Sequence, residues 1–585
     1  MSQWKTKLIL NHEKGSEESG TIRIKRGIFQ GDSLSPLLFC ISLFPLSSII
    51  NKYNYGYDCQ NKQFSHLLYM DDLKLFAKND QHLHALLRIV KSFSDCIKME
   101  FNADKCAKVT IKRGKYSSSE NIELDPSTTI RELEQHDTYK YLGVAENTGI
   151  SHQKMKETIR KEYTRRVRLI MRSQLNSKNK FTAINSLAVP VVTYSFPVVN
   201  WTSAEIKKLD VKTRKLLTIH RAHHPKADVD RLYIKRSEGG RGLLQIEMLH
   251  KSELIGMDEY FSKNKDWMIE CVRSHDKNKK RYSISQKARE FTKDLRCDFD
   301  KNISSATMAA KAKKQSFKKI ALKQLQENWT RKPLHGKFAQ RSQAADINKD
   351  HTFMWLKSSS LKAETEGFIF AAQDQSLKTK NYIAKVMKTG SDPLCRYCGQ
   401  FDETIDHLVS GCPILAKNEY IERHNKVGQY IHWKVSQWYG LPTADSWYKQ
   451  QTPPVIENGR SKILWDFGIQ TDRTILANRP DIIIVDKEKK TCVLLDVSVP
   501  SDRNTSIKNF EKISKYKDLE IEIQRAWRLK AKTVPIIIGA LGVTNKSFPK
   551  YAKEIPGNIS TAEIQKIALL GTARILRKAL SLYEA

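Results

Sequence analysis

The run Phe64-Ser65-His66-Leu67-Leu68-Tyr69-Met70-Asp71-Asp72-Leu73-Lys74-Leu75-Phe76-Ala77 sets two adjacent acids between apolar, strand-forming flanks. The pattern predicts a hairpin with Asp71 and Asp72 at its tip. Adjacent carboxylates repel one another and lose hydration when packed, so a tip presenting both calls for a counter-cation. Hard oxygen ligands suit Mg²⁺ (or Mn²⁺), and paired metals of this kind clamp the attacking and leaving oxygens of an in-line nucleotidyl transfer. Taken alone, Asp-Asp is equally an ordinary exposed turn, because acids favour turns.

The surroundings decide between these readings. Upstream lies Arg26-Gly27-Ile28-Phe29-Gln30-Gly31-Asp32-Ser33-Leu34-Ser35-Pro36-Leu37-Leu38-Phe39, a Gly-punctuated turn leading into an apolar helix. Downstream follow Phe101-Asn102-Ala103-Asp104-Lys105-Cys106 and Tyr139-Lys140-Tyr141-Leu142-Gly143-Val144. In this order the four stretches resemble motifs of reverse transcriptases, the last being similar to a primer-grip hairpin. The resemblance implies that Asp71 is the principal metal ligand of the polymerase pair and Asp72 the more peripheral acid. It also implies that Gln30 and Gly31 line the nucleotide and template pocket and that Lys105 assists pyrophosphate departure. In this family a further motif, carrying the third metal-binding Asp, precedes the position of Gly27, yet no Asp occurs before Asp32. The expectation is an N-terminally truncated polymerase whose synthesis is impaired.

A chain of 585 residues exceeds what one core organises, and about three or four domains are expected. The net charge of +36, from 100 Lys and Arg against 64 Asp and Glu, predicts a polyanionic partner, since each neutralised phosphate releases counterions. A membrane partner would call for a concentrated basic amphipathic helix or a lipidation signal. The apolar stretch Leu34 to Ile50 is interrupted by Pro36 and Pro45 and reads as a buried palm helix, so no membrane partner is expected. The start, Met1-Ser2-Gln3-Trp4-Lys5, has no sustained apolar core, and an intracellular chain is expected.

Up to about Gly143 short apolar strands alternate with helices, including a helical pattern from Gln81 to Lys98. From Ile150 to Glu247 the chain reads as helical and basic, closing on Arg231-Leu232-Tyr233-Ile234-Lys235-Arg236-Ser237-Glu238-Gly239-Gly240-Arg241-Gly242-Leu243. Its arginines suit a nucleic-acid backbone or a solvated loop equally. Residues 251 to 385, rich in Lys, are expected to form exposed helices that connect folded units.

Seven of the ten cysteines are scattered, which in a reducing compartment suggests free thiols. Cys395, Cys398 and Cys412 instead cluster with His407 as C-x₂-C-x₈-H-x₄-C. Four such ligands in so short a span suit a closed, structural Zn²⁺. His424 is the second choice as a ligand.

Farther on, Asp481-Ile482-Ile483-Ile484-Val485-Asp486 and Thr491-Cys492-Val493-Leu494-Leu495-Asp496-Val497-Ser498 flank a charged turn. An antiparallel pairing brings Asp481 and Asp496 to one end of a sheet, where both can share a metal. A helix carrying Lys512, Lys515 and Tyr516 and a strand from Val534 to Val543 complete a strand–strand–helix–strand core. This core resembles the PD-(D/E)XK nuclease fold, whose metal activates a water and whose Lys steadies the developing charge. The Lys usual two residues beyond the second acid is replaced by Ser498, and the resemblance then points to Lys515 or Lys512.

The whole order resembles non-LTR retrotransposon polyproteins with a restriction-like endonuclease. The fold class implied is multidomain α/β: a partial reverse-transcriptase palm (1–146), a helical thumb (147–250), a basic helical linker (251–385), a CCHC zinc knuckle (386–430) and a restriction-like endonuclease core (431–585). The resemblance implies target-primed reverse transcription in the nucleus, after synthesis in the cytoplasm. Its partners would be an element RNA template, chromosomal target DNA and dNTPs. The alternatives are a non-catalytic nucleic-acid-binding relic of such an element and a maturase-like RNA cofactor.

Overall fold

The computed structural model describes residues 5–12, 15–24, 31–59, 61–99, 102–126, 128–279, 282–293, 303, 305–358 and 360–581. The chain divides into two compact units, residues 1–157 and 158–585.

In the first unit, helix α1 (Ser35–Lys52) precedes the hairpin of β1 (His66–Tyr69) and β2 (Asp72–Leu75), and α2 (Asp80–Ile97) follows. The two prolines do not interrupt α1. Pro36 lies in the first turn, where no intrahelical N–H is required, and the helix continues through Pro45 at the loss of one backbone bond. Nor is α1 buried all round. Leu46 and Ile50 pack with Leu86 and Val90 of α2 and with Leu73 and Leu75 of the hairpin, while Leu37, Ile41 and Phe44 are exposed. By length and composition α1 is long and apolar enough to cross a membrane. Helix α2 starts where the Asn79 side chain accepts from the His82 amide at 2.8 Å, a capping bond typical of Asn. A second hairpin joins β3 (Tyr139–Tyr141) to β4 (Val144–Glu146) through Leu142 and Gly143, both at positive φ.

The second unit corrects two expectations drawn from composition. Residues 251–385 are not simply exposed connectors: Trp329, Phe338, Trp355 and Phe370 sit in the same core as Ile405, Leu408 and Leu576. Helix α3 (Ile246–Lys263) packs on α4 (Ala306–Arg331). The arginine-rich loop is neither a solvated turn nor a phosphate surface. Arg231 and Arg241 are each 1 % exposed, paired to Asp374 at 2.7 Å and Glu366 at 2.8 Å respectively. Arg236 reaches the same Glu366 carboxylate with both terminal nitrogens. Burial draws the Arg241 guanidinium down to about 10 despite Glu366. Gly240 is needed because a side chain there would collide with the Ile234 carbonyl.

Toward the C-terminus the chain builds helix α5 (Glu419–Trp438) and a five-stranded sheet. The strands are β5 (Val455–Glu457), β6 (Ser461–Trp465), β7 (Ile482–Asp486), β8 (Thr491–Ser498) and β9 (Lys530–Ile537), in spatial order β5-β6-β7-β8-β9. The first four are antiparallel. β9 lies parallel to β8, which requires a crossover. Helices α6 (Thr505–Lys515) and α7 (Lys517–Trp527) supply it.

Strands β7 and β8 are apolar on both faces because both are covered. Ile482, Ile484, Leu495 and Val497 meet Val427 and Ile431 of α5 and Ile564 and Ala568 of α8 (Thr561–Ser581). Ile483 and Leu494 meet Leu519 and Ile523 of α7. Relative to the expected core, the sheet gains β5 and β6 and the single helix divides at Tyr516. The final strand runs earlier, because the chain turns back where the Gly539 amide donates to Val543 at 2.8 Å.

Candidate functional site

Asp71 and Asp72 both stand exposed at the β1–β2 tip, with Met70 at φ 53° closing a turn between the Tyr69–Asp72 pair. The second hairpin lies close by: Lys74 of β2 pairs with Glu146 of β4 at 2.6 Å and sits 5.2 Å from the Tyr141 ring. Burial raises the Tyr139 and Tyr141 hydroxyls, and the Asp72 charge adds to it. Lys105 ends a short 3₁₀ turn and is exposed. Gly31 is exposed at φ 99°. Gln30 lies outside the described residues. No third acid joins the pair among the described residues, whose one metal-competent group of three or more His, Cys, Asp or Glu is elsewhere.

That group is Cys395, Cys398, His407 and Cys412, with all four ligand atoms within 4.8 Å of one another. Cys395 Sγ and Cys412 Sγ are 4.0 Å apart, and Cys398 Sγ is 3.4 Å from His407 Nε2. A tetrahedral site with Zn–S bonds of about 2.3 Å puts its ligands about 3.8 Å apart, so the four residues fit Zn²⁺. The turn that gathers the first two is closed by the Gly399 amide donating to Cys395 at 2.8 Å, with Gly399 at φ 64°. His407 is presented by a helical turn (Ile405–Ser410) capped by Thr404. Burial pushes the Cys395 thiol up to about 11, so a thiolate there depends on a cation. The Cys/His cluster is bolted to its surroundings: Arg396 spans the fully buried Glu403 and donates to the Ala579 carbonyl at 2.6 Å. Tyr420 of α5 accepts from the Cys412 amide at 3.1 Å and donates to Leu408 at 2.9 Å.

His424, one helical turn beyond Tyr420, does not belong to this group. It sits in a cleft of about 480 Å³ lined by Tyr420, Arg423, Asp466, Asp481, Ser498 and Lys512, among others. The pairing of Ile482 with Leu495 sets Asp481 across from Asp496, as the strand reading required. The His424 Nε2 lies 2.9 Å from Asp481 Oδ2 and 3.0 Å from the Val497 carbonyl. A carbonyl only accepts, so Nε2 carries the proton and donates to both. Burial alone would lower the imidazole, yet Asp481 outweighs it and lifts the group to about 9. Reciprocally, burial would raise Asp481, but His424 and the Val497 amide hold it below its ordinary value.

Asp496 is 1 % exposed. Lys512 Nζ stands 2.6 Å from its Oδ1 and Lys515 Nζ 3.9 Å from its Oδ2, both delivered by the last turn of α6. The Lys512 contact lacks hydrogen-bond geometry, so this buried Oδ1 accepts no hydrogen bond. Such an oxygen beside a second carboxylate suits a hard divalent cation. Tyr516 is raised by burial and then by the Asp496 charge, and Lys515 donates to its hydroxyl at 2.8 Å. Asp481, Asp496, Lys512 and Lys515 are thus brought together. His424 is the member that sequence reasoning placed elsewhere.

Residues 1–145 match the family model "Reverse transcriptase (RNA-dependent DNA polymerase)". Over 241 residues, 40% of this chain and 38% of the relative, the protein is 27% identical to the Retrovirus-related Pol polyprotein from type-1 retrotransposable element R2 of Popillia japonica. Over 123 residues, 20% of this chain and 12% of the relative, it is 32% identical to the corresponding polyprotein from type-2 retrotransposable element R2DM of Drosophila melanogaster. These similarities support a retrotransposon reverse-transcriptase segment, a class that uses divalent metal, an RNA template and nucleotide substrates. The chain spans well under two thirds of the length of the curated relatives it matches.

Proposed function

We propose that the chain is an R2-like retrotransposon protein that nicks target DNA with its C-terminal site and uses the new 3′-hydroxyl to prime cDNA synthesis. The observation that carries the nuclease half is Asp481 facing Asp496 at one end of the β7–β8 pair, with Lys512 2.6 Å from the second acid. A divalent cation held by Asp481 and Asp496 would supply activation of the attacking water and charge compensation at the scissile phosphate. Lys512 and Lys515 offset the buried Asp496 charge and present cations to the phosphate that approaches it. Cys395, Cys398, His407 and Cys412 would hold Zn²⁺, which closes the knuckle without an open coordination position.

In the polymerase half, Asp71 and Asp72 would hold Mg²⁺ or Mn²⁺, Gly31 and Gln30 would border the nucleotide, and Lys105 would meet the pyrophosphate. With two exposed carboxylates and no third gathered among the described residues, the isolated chain is expected to polymerise weakly. The site of action is the nucleus, and no membrane takes part. The division into palm, thumb, knuckle and nuclease belongs to the same reading, with residues 251–385 contributing to the core of the second unit rather than linking separate units.

The test is a reaction with supercoiled plasmid, RNA, labelled dNTPs and Mg²⁺. Water attack with loss of the 3′ oxygen leaves a 3′-hydroxyl and a 5′-phosphate, so nicks sealed directly by DNA ligase are expected, with little cDNA. Nicks ending in 3′-phosphate would overturn the nuclease chemistry. Robust cDNA synthesis would overturn the impaired polymerase.

A further inference from the structure

We propose that His424 is a positioning residue of the Asp481/Asp496 site, holding one oxygen of Asp481 so that the other is offered to a divalent cation. The inference rests on the nuclease reading above. Three observations carry it. The described hydrogen bonds to the Asp481 side chain converge on Oδ2: the Val497 amide donates at 2.6 Å and His424 Nε2 at 2.9 Å. Oδ1 is therefore the oxygen left for a ligand. Next, the same Nε2–H reaches the Val497 carbonyl at 3.0 Å, so a single donor ties the residue before β7 to the end of β8. Asp481 precedes the first paired residue of β7; its carbonyl accepts from the Asp466 amide at 2.8 Å, which holds the backbone and leaves the carboxylate to His424 and the Val497 amide.

Finally, the imidazole is itself held. Its Nδ1 lies 3.0 Å from Asn425 Oδ1, and it rides on α5 one turn from Tyr420, whose hydroxyl bonds the Cys412 amide and the Leu408 carbonyl of the knuckle. A carboxylate free to rotate alternates between one-oxygen and two-oxygen coordination. Pinning Oδ2 removes that freedom before the metal arrives, the service that outer partners give to metal ligands generally.

The experiment is Mn²⁺ binding to the zinc-loaded full chain, followed by electron paramagnetic resonance, for the wild type and for Asp481→Ala, His424→Ala and His424→Gln. Asp481→Ala should remove one class of bound Mn²⁺ and defines the background of all other sites. His424→Ala should weaken that class about 10–100-fold, the usual effect of losing an outer partner of a metal ligand. His424→Gln keeps an N–H near the Nε2 position without a ring and should retain most of the affinity. In plasmid nicking, His424→Ala should lower kcat at saturating DNA while KM for DNA stays unchanged, and His424→Gln should restore kcat.

Unchanged Mn²⁺ affinity in His424→Ala, with the class lost in Asp481→Ala, would overturn the positioning role and leave the nuclease reading standing. A Gln variant as weak as the Ala variant would also overturn it. No loss in Asp481→Ala would instead refute the metal site on which the inference rests.

Discussion

At the scale of single residues the second unit holds polar groups whose cost is visible in their environment. Asp502 is buried; its Oδ1 accepts from the Leu541 amide at 3.0 Å, and its Oδ2 has no hydrogen-bond partner. Burial, reinforced by the Asp406 charge, lifts this carboxyl to about 7 from a usual 3.8. In the window between those values the folded chain keeps a proton that the unfolded chain has lost. Stability therefore falls as pH rises across it and levels off above about 7. Asp502→Asn keeps the acceptor and removes the titration, so the variant should be more stable than the wild type by about 2–4 kcal/mol at pH 8. Urea unfolding at a series of pH values checks this, and parallel pH profiles for the two proteins would contradict it. Single residues also mark where sequence reading failed. The clustering of Cys395, Cys398, His407 and Cys412 was legible because Cys395 to Cys412 is a local spacing. His424 was not, because its partner Asp481 is 57 positions away. Arg231 and Arg241 suited a nucleic-acid backbone and a solvated loop equally, because nothing local announces Asp374 and Glu366 as their partners.

At the scale of elements, helix α5 joins two sites. Tyr420 bonds the backbone of the Cys/His cluster and His424 bonds Asp481, and positions four apart share a helix face. Removing zinc should loosen the start of α5 as well as the knuckle itself. Titrating the cysteines with a mercurial should release about one zinc per chain. Hydrogen exchange should then accelerate in residues 395–412 and spread into the first turn of α5, and nicking should fall. Zinc release with exchange in α5 unchanged would contradict the coupling. Strands β7 and β8 and the α2 periodicity were legible as elements, since β-branched runs and three- and four-residue apolar spacing are strong signals. Strands β5 and β6, three and five residues long, are too short to carry a clear alternation in the sequence. The break between α6 and α7 at Tyr516 carries neither Gly nor Pro to announce it.

At the scale of the whole molecule, a charge of +36 leaves a basic surface even though the buried Arg231 and Arg241 are paired with Asp374 and Glu366. That surface suits a polyanion. The proposed nuclease, whose acids Asp481 and Asp496 meet across the β7–β8 pair downstream of the reverse-transcriptase segment, is what most needs testing. The most direct measurement is the rate at which purified full chain converts supercoiled plasmid to open circles in Mg²⁺, for wild type and Asp481→Ala at equal DNA occupancy. Nicking by the wild type is expected, none with the metal chelated, and a loss of about two or more orders of magnitude in the variant, with DNA affinity unchanged. Equal nicking by both proteins, or tight DNA binding without nicking by either, would contradict it.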